Sequence, residues 1–170
     1  VREATFSMLG ELDGAVVLDL FAGTGALGIE ALSRGGGRAV FVERDRAALS
    51  ALRANLSELG IAAGEGEVRA AEALSALRTA RARHETYDLV FVDPPYGQAS
   101  ELDGPLSASL PALLEPRARV VVESDRRSPL RLSLEPVRER RYGDTLIAIY
   151  RNAEPEPGEP PPVPGVGGGV

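Results

Sequence analysis

The tetrapeptide Asp93-Pro94-Pro95-Tyr96 combines residue types suited to handling a planar exocyclic amine. Two successive prolines fix φ and remove N–H donors, so the backbone is stiff and its carbonyls stand as free acceptors. Asp93 adds another acceptor and Tyr96 an aromatic face. The nitrogen of such an amine is a poor nucleophile because its lone pair is delocalised into the ring. Accepting hydrogen bonds from both N–H groups favours a pyramidal nitrogen and localises the pair toward an electrophilic methyl. Stacking on Tyr96 holds the base at attack distance. At an ordinary carboxylate pKa Asp93 is a weak general base, so proton loss is expected after the transfer, to solvent. A rigid turn following a strand is the plainer reading of the same four residues.

A second motif lies upstream. Gly23-x-Gly25-x-x-Gly28 matches a dinucleotide fingerprint, and Glu43 stands 20 residues past Gly23, where an acid at the end of a second strand accepts from ribose hydroxyls. The spacing alone fits a nicotinamide dinucleotide or S-adenosylmethionine. Asp19 favours the second. A pyrophosphate at a helix N-terminus needs bare N–H groups and positive potential, which a carboxylate four residues before the first glycine opposes. The α-ammonium of S-adenosylmethionine is a group that a carboxylate can hold. Glu72 is placed to meet the adenine amino group, or else serves as an acid at a helix N-terminus.

The elements that must carry these motifs can be read from periodicity. Residues 16–20, 39–43, 67–70, 87–93 and 119–123 are short, apolar on both faces and rich in β-branched residues, as buried parallel strands are. Residues 26–34, 46–59 and 72–83 have the i, i+3, i+4 spacing of amphipathic helices. Residues 2–12 read as a helix over the sheet with Phe6 and Leu9 inward. Residues 132–138 and 145–151, joined by Tyr142-Gly143-Asp144, read as an antiparallel pair. Strand–helix alternation of this kind implies a doubly wound α/β sheet. It brings the glycine loop and the Asp-Pro-Pro-Tyr motif to the same carboxyl edge, where open α/β sheets bind ligands.

Composition bounds the remainder. The 170 residues, 44% hydrophobic and 26% charged, suit one globular domain. With no cysteine and a single histidine, His84, thiolate and multi-histidine metal sites are excluded and no metal is expected. His84 lies in a polar turn and reads as a solvated surface residue. The absent cysteine also excludes cytosine C5 methylation, which needs a thiolate nucleophile. No apolar run is long enough to span a bilayer, and a cytoplasmic, monomeric protein is expected. The net charge of −6 is uneven. Residues 1–116 carry −7, residues 117–151 carry +4 and the last 19 carry −3. Arg126, Arg127, Arg131, Arg138, Arg140 and Arg141 crowd the basic part, either as a solvated face or as a footprint for RNA phosphates. From residue 152 onward only a disordered Pro/Gly/Glu-rich tail is expected, which leaves 1–151 as the domain.

The segments VLDLFAGTGALGIEALSRG (17–35), FVERD (41–45), LVFVDPPY (89–96) and YGDTLIAIY (142–150), with the opening VREATF (1–6), resemble the RsmD family. Its members are S-adenosylmethionine-dependent methyltransferases acting on guanine N2 of small-subunit ribosomal RNA. The resemblance implies a class I methyltransferase fold, Rossmann-like, with a seven-stranded, mostly parallel sheet and one antiparallel C-terminal strand. It implies small-subunit ribosomal RNA, or the assembled small subunit, as partner. By matching positions, Asp19 and the loop Ala22-Gly23-Thr24-Gly25 would hold the methionine part, Glu43 the ribose and Glu72 the adenine. Phe21, Arg44 and Ala73 complete the cofactor-binding set, although Phe21 also reads as packing against the helix that follows the loop. Asp93, Pro94, Pro95 and Tyr96 would form the catalytic pocket. Two departures stand out: a basic segment with an Arg-Pro-Thr stretch is expected ahead of residue 1, and Glu72 stands where the family commonly has Asp. Adenine-N6 and protein-glutamine methylation use similar motifs and are the nearest alternatives. A nicotinamide oxidoreductase leaves Asp19 and the Asp-Pro-Pro-Tyr motif without a role, and a non-catalytic RNA-binding module leaves the cofactor loop without one.

Overall fold

Seven strands lie in the order β3-β2-β1-β4-β5-β7-β6 in a computed structural model that describes residues 1–153 and Gly158. The strands are β1 (Val16–Asp19), β2 (Arg38–Glu43), β3 (Gly66–Ala70), β4 (Tyr87–Val92), β5 (Leu114–Asp125), β6 (Glu135–Tyr142) and β7 (Thr145–Arg151). The first five pair in parallel, and β7 runs antiparallel to both β5 and β6. This is the class I arrangement expected from the sequence. The chain builds outward from β1 to β3, then returns to place β4 on the other side of β1. That reversal is a topological switch point, and the carboxyl ends of β1 and β4 open there side by side.

Helices cover both faces. Helices α1 (Arg2–Leu9), α2 (Ala26–Ser33) and α3 (Arg46–Glu58) bury Phe6, Leu9, Ala31, Leu52 and Leu56 against Phe41, Phe91, Val121 and Ile147. On the other face, α4 (Ala73–Ala82) and α5 (Ala99–Ser109) bury Leu77, Ala80, Leu102 and Leu106 against Val40, Val90 and Val122. Strand residues alternate between the two clusters with period 2, which is why the sequence shows apolar runs without polar interruptions.

Three elements differ from the expectation. Helix α5 is not among the predicted helices, because Gly104 and Pro105 break the local propensity; a proline within a helix removes a hydrogen bond and costs about 3 kcal/mol. It forms because Leu102 and Leu106, with Leu110 just beyond it, recur every fourth residue and are all buried. The strand expected at 132–138 begins three residues later, at Glu135. Leu130 and Leu132 are drawn into the core, and the N–H groups of Arg131 and Ser133 donate to Asp103 Oδ1 (3.0 Å) and Ser107 Oγ (3.1 Å) on α5. Backbone donors used there cannot serve a sheet ladder. The first helix also stops earlier than expected, at Leu9, with Gly10 at φ 69°.

The disordered tail expected from residue 152 lies outside the described residues, except for Asn152, Ala153 and Gly158. Asn152 is tied to the sheet: its N–H donates to the Ala118 carbonyl at 2.8 Å and its Nδ2 to the Glu115 carbonyl at 3.0 Å.

The third glycine of the fingerprint has a packing role. A Cβ at Gly28 would sit 2.4 Å from Cε1 of Phe41, a ring fully buried between α2 and the sheet. Gly28→Ala is therefore expected to destabilise the fold by about 1–3 kcal/mol through overpacking, despite gaining up to ~1 kcal/mol of helix propensity. Denaturant unfolding checks this, and Phe41→Leu in the same chain should recover part of the loss. A Gly28→Ala variant as stable as the parent would show that the ring can move aside freely.

Candidate functional site

The turn after β1 is held by backbone and side chain together. Its entry is fixed by Leu20 N–H donating to the Phe91 carbonyl (3.1 Å) and Ala22 N–H to the Val42 carbonyl (2.9 Å). These bonds draw the loop across the ends of β4 and β2. Gly25 stands at φ 93° as the N-cap of α2, a left-handed conformation that favours glycine. Glu43, at the end of β2, accepts from Gly23 N–H through Oε1 (2.9 Å) and from Arg44 and Asp45 N–H through Oε2 (2.7 and 2.8 Å). From α3, Asn55 Nδ2 donates to the Thr24 carbonyl at 2.9 Å. Asn55 was not foreseen, since nothing in its neighbourhood of the sequence ties it to a loop 31 residues away.

Beside this loop opens a cleft of about 390 Å³. Phe21, Ala22, Gly23, Glu43, Arg44, Glu72 and Ala73 line one part of it, and Asp93, Pro94 and Pro95 line another. The ends of β1, β2, β3 and β4 thus contribute to a single concavity at the switch point. Leu20, Val42, Ala71, Gln98 and Leu102 also line it, giving the floor an apolar surface. Gln98 and Leu102 lie at the start of α5, so overlooking that helix also hid them.

Four of the expected site residues lie elsewhere. Thr24 and Gly25 are not on the cleft's wall but behind it, where the loop turns into α2. Asp19 lies beneath the loop, 1% exposed, with Oδ2 accepting from Gly28 N–H at 3.0 Å. Its carboxylate braces the loop from below and is not part of the cleft's lining. Tyr96 projects outward, 90% exposed, beyond the cleft wall. Phe21 does not pack against α2: it is partly buried against the cluster on the α4–α5 face and borders the cleft. Glu72 is both cleft lining and N-cap of α4, accepting from Leu74 and Ser75 N–H (3.2 and 3.3 Å). His84 is exposed, at φ 55°.

The site is strongly acidic. Burial pushes the Asp19 carboxyl up to about 7, with Asp93 and Glu43 adding to the rise and the Gly28 N–H opposing it. The Asp93 carboxyl is likewise pushed up to about 7, first by desolvation at the sheet edge and then by the Glu123 carboxylate. Asp93 is exposed to solvent, where water screens part of this field, but both causes act in the same direction, toward neutrality, where a carboxylate accepts a proton effectively. Glu123 is raised too, first by burial, so Asp19, Asp93 and Glu123 each resist ionisation, which a nearby cation would relieve. Glu123, at the end of β5, was not singled out from the sequence; an acid closing a parallel strand on the ligand-binding edge was the available signal.

Comparisons with known proteins show the family. Residues 1–151 match the family described as Conserved hypothetical protein 95. YlbH of Bacillus subtilis is 38% identical over 160 residues, covering 89% of this chain and 84% of that protein. Ribosomal RNA small subunit methyltransferase D of Escherichia coli is 43% identical over 97 residues, covering 56% of this chain and 46% of that one, so the match spans about half of that relative. A conserved hypothetical protein of Streptococcus pyogenes has the same fold at a TM-score of 0.77 and 35% identity, over 89% of this chain and 95% of the other.

Proposed function

Because this chain belongs to the conserved hypothetical protein 95 family, the RsmD family, we propose that it methylates ribosomal RNA, at the exocyclic N2 amine of a guanine in the small subunit, with S-adenosylmethionine as methyl donor. One observation carries the reading: Asp93, Pro94 and Pro95 face the same cleft as the glycine loop and Glu43. An amine-binding motif and an adenosine-binding loop share one cavity.

When bound, S-adenosylmethionine supplies a methyl group on a positively charged sulfur, open to displacement. The residues present fit it. Leu20, Phe21, Ala73 and Leu102 offer an apolar slot for a flat base. Glu43 keeps lone pairs for ribose hydroxyls beyond those given to backbone N–H groups, and Arg44 borders the same place. Glu72 stands at the far end, where its cap leaves further acceptor capacity for an adenine amine. Asp93 and Glu43 lie close enough to Asp19 to add to the rise that burial causes, and such a group of carboxyls suits a cationic ligand.

Asp93 and the Pro94 carbonyl accept from the two N–H groups of the target amine, turning its lone pair toward the methyl. With the donor held by the glycine loop and Glu43, the aligned amine would displace its methyl group in line, and what this chain supplies is that alignment. The nitrogen then loses its extra proton to Asp93 and onward to water. Tyr96, outside the cleft and free of packing, is available to stack on the base, which must leave its own stack to arrive. The basic edge strand supports an RNA partner. Arg140 lies in register with Ile147, and Ile147 with Glu123, so the end of β6 reaches the same sheet edge as the cleft and can meet phosphates.

The test is methyl transfer from labelled S-adenosylmethionine to unmethylated small ribosomal subunits, naked ribosomal RNA, duplex DNA and total protein, followed by identification of the product. N2-methylguanosine is expected from the ribosomal substrates; label in adenine or in protein would overturn the substrate. Glu43→Ala removes a charged acceptor shared by loop and ligand. It is expected to weaken S-adenosylmethionine binding by about 10–100-fold, the worth of one charge-assisted hydrogen bond. Calorimetry giving an unchanged affinity would reject the ribose role.

A further inference from the structure

Asp93 borders a second cavity, of about 240 Å³, on the α1 side of the sheet. Leu27, Phe91, Val121 and Ile147 form apolar walls, and Glu123 and Arg2 add a carboxylate and a guanidinium. The two concavities therefore meet at one carboxylate. The strand register explains the arrangement. Phe91 pairs with Val121 and Val121 with Ile149, while Glu123 pairs with Ile147. Residues 121 and 123 thus share the α1 face, and Asp93, two positions past Phe91, continues the row at the strand's mouth. Among the described residues, neither Asp93 nor Glu123 accepts a hydrogen bond or joins an ion pair. Two carboxylates that no side chain bonds thus stand at the edge of an apolar slot, with the Val1 ammonium on the same cavity's rim acting on Glu123.

We propose that this second cavity receives the target base and that Glu123 selects guanine, accepting its N1–H while Asp93 accepts from its N2 amine. This assignment rests on the methyl-transfer reading above and adds the origin of base specificity. The Watson–Crick edge of guanine presents two neighbouring donors, N1–H and N2–H, and an acceptor, O6. A pair of carboxylates complements the donors, and Arg2, on the same cavity's rim, can donate to O6. Adenine presents an N1 lone pair to Glu123 where guanine presents N1–H, and an N6 amine to Arg2 where guanine presents O6, so acceptor meets acceptor and donor meets donor. The apolar walls supply a flat surface that holds either purine, so selection falls on the acidic edge. Glu123 is close enough to raise the Asp93 pKa, and two donors bridging the pair relieve that repulsion only in the guanine complex.

Two measurements test this. In the first, guanosine 5′-monophosphate and adenosine 5′-monophosphate are titrated into the protein saturated with S-adenosylhomocysteine, and the methyl resonances of Leu27, Val121 and Ile147 are followed. Guanosine 5′-monophosphate is expected to shift them and adenosine 5′-monophosphate is not. Glu123→Ala should abolish the preference, while its thermal melting confirms a folded chain. In the second, kcat/KM for N2-methylguanosine formation on small-subunit RNA is expected to fall about 10–100-fold in Glu123→Ala, with S-adenosylmethionine affinity unchanged and a smaller loss in Glu123→Gln, whose amide oxygen still accepts. Equal response to both nucleotides, or a Glu123→Ala variant that keeps its guanine preference or its kcat/KM, overturns the assignment. If guanine preference is present but RNA takes no methyl, the base site stands and the methyl-transfer reading falls. If N2-methylguanosine forms while the cavity ignores both nucleotides, the reverse holds.

Discussion

Asp93→Ala is expected to lower methyl transfer by about 10²–10³-fold, the usual loss when one group positioned to stabilise the reacting atoms is removed, while leaving S-adenosylmethionine affinity nearly intact. The separation follows from position. Asp93 lies at the end of β4, facing the place proposed for the amine, whereas the surfaces proposed for the adenosine come from the ends of β1, β2 and β3. Single-turnover transfer and calorimetry on the same variant read the two quantities independently. The pH dependence adds a second signature. With the Asp93 pKa at about 7, the acceptor form dominates only above neutrality, so kcat/KM should rise with pH through about 7 and level off beyond it. A bound cation favours the ionised carboxylate, so the corresponding limb in kcat should lie at lower pH. Asp93→Asn keeps an amide oxygen as acceptor but does not titrate. It should retain part of the activity and lose the acid limb. An Asp93→Ala variant with parental kcat would remove this residue from the mechanism.

The turns that carry the candidate site were the most legible part of the sequence, because each is fixed by local backbone requirements. Two adjacent prolines, a left-handed Gly25 and a glycine pressed against Phe41 are dictated by geometry within a few residues or across one helix–strand contact. The spacing from Gly23 to Glu43 is legible for the same reason: one strand, one turn, one helix and the next strand have a nearly fixed length. What escaped depended on distant partners. Whether Asp19 faces the cleft or lies beneath the loop is decided by how far β1 extends before the chain turns, a matter of one residue in the sheet register. Asn55 reaches Thr24 only after α3 has packed.

Helix α5 and the start of β6 illustrate the other source of error, tertiary contacts overriding local propensity. The Asp103-Gly104-Pro105 sequence signals a turn, yet three leucines at a spacing of four bury enough apolar surface to hold the helix, at about 1.5–3 kcal/mol per fully buried side chain. Asp103 then accepts from Arg131 N–H, and that bond delays β6. A single unforeseen helix thus accounts for three omissions: α5 itself, the shifted strand, and the contribution of Gln98 and Leu102 to the cleft.

The second large effect expected is on stability. Asp19→Asn should make the protein progressively more stable than the parent as pH rises from about 4 to about 7. In the folded chain the Asp19 carboxyl is pushed from an ordinary 3.8 to about 7, chiefly by burial. Ionising it there costs about 4 kcal/mol more than in the unfolded chain, at 1.36 kcal/mol per pKa unit. Between those two pH values the folded state holds a proton that the unfolded state has released, so unfolding becomes easier as pH rises, and the trend ends once Asp19 ionises in both states. Asparagine keeps the acceptor for Gly28 N–H and has no charge to bury. Other groups pull the opposite way: Glu85, whose pKa is lowered by its bond to Arg69, contributes stability that is lost on acidification. That contribution is common to both proteins and cancels in their difference. Urea unfolding of the two proteins at pH 4 and pH 8 is therefore expected to show a gap that widens by up to about 4 kcal/mol in favour of the variant. A gap that stays constant would mean that Asp19 ionises at its ordinary pKa beneath the loop, contrary to its burial.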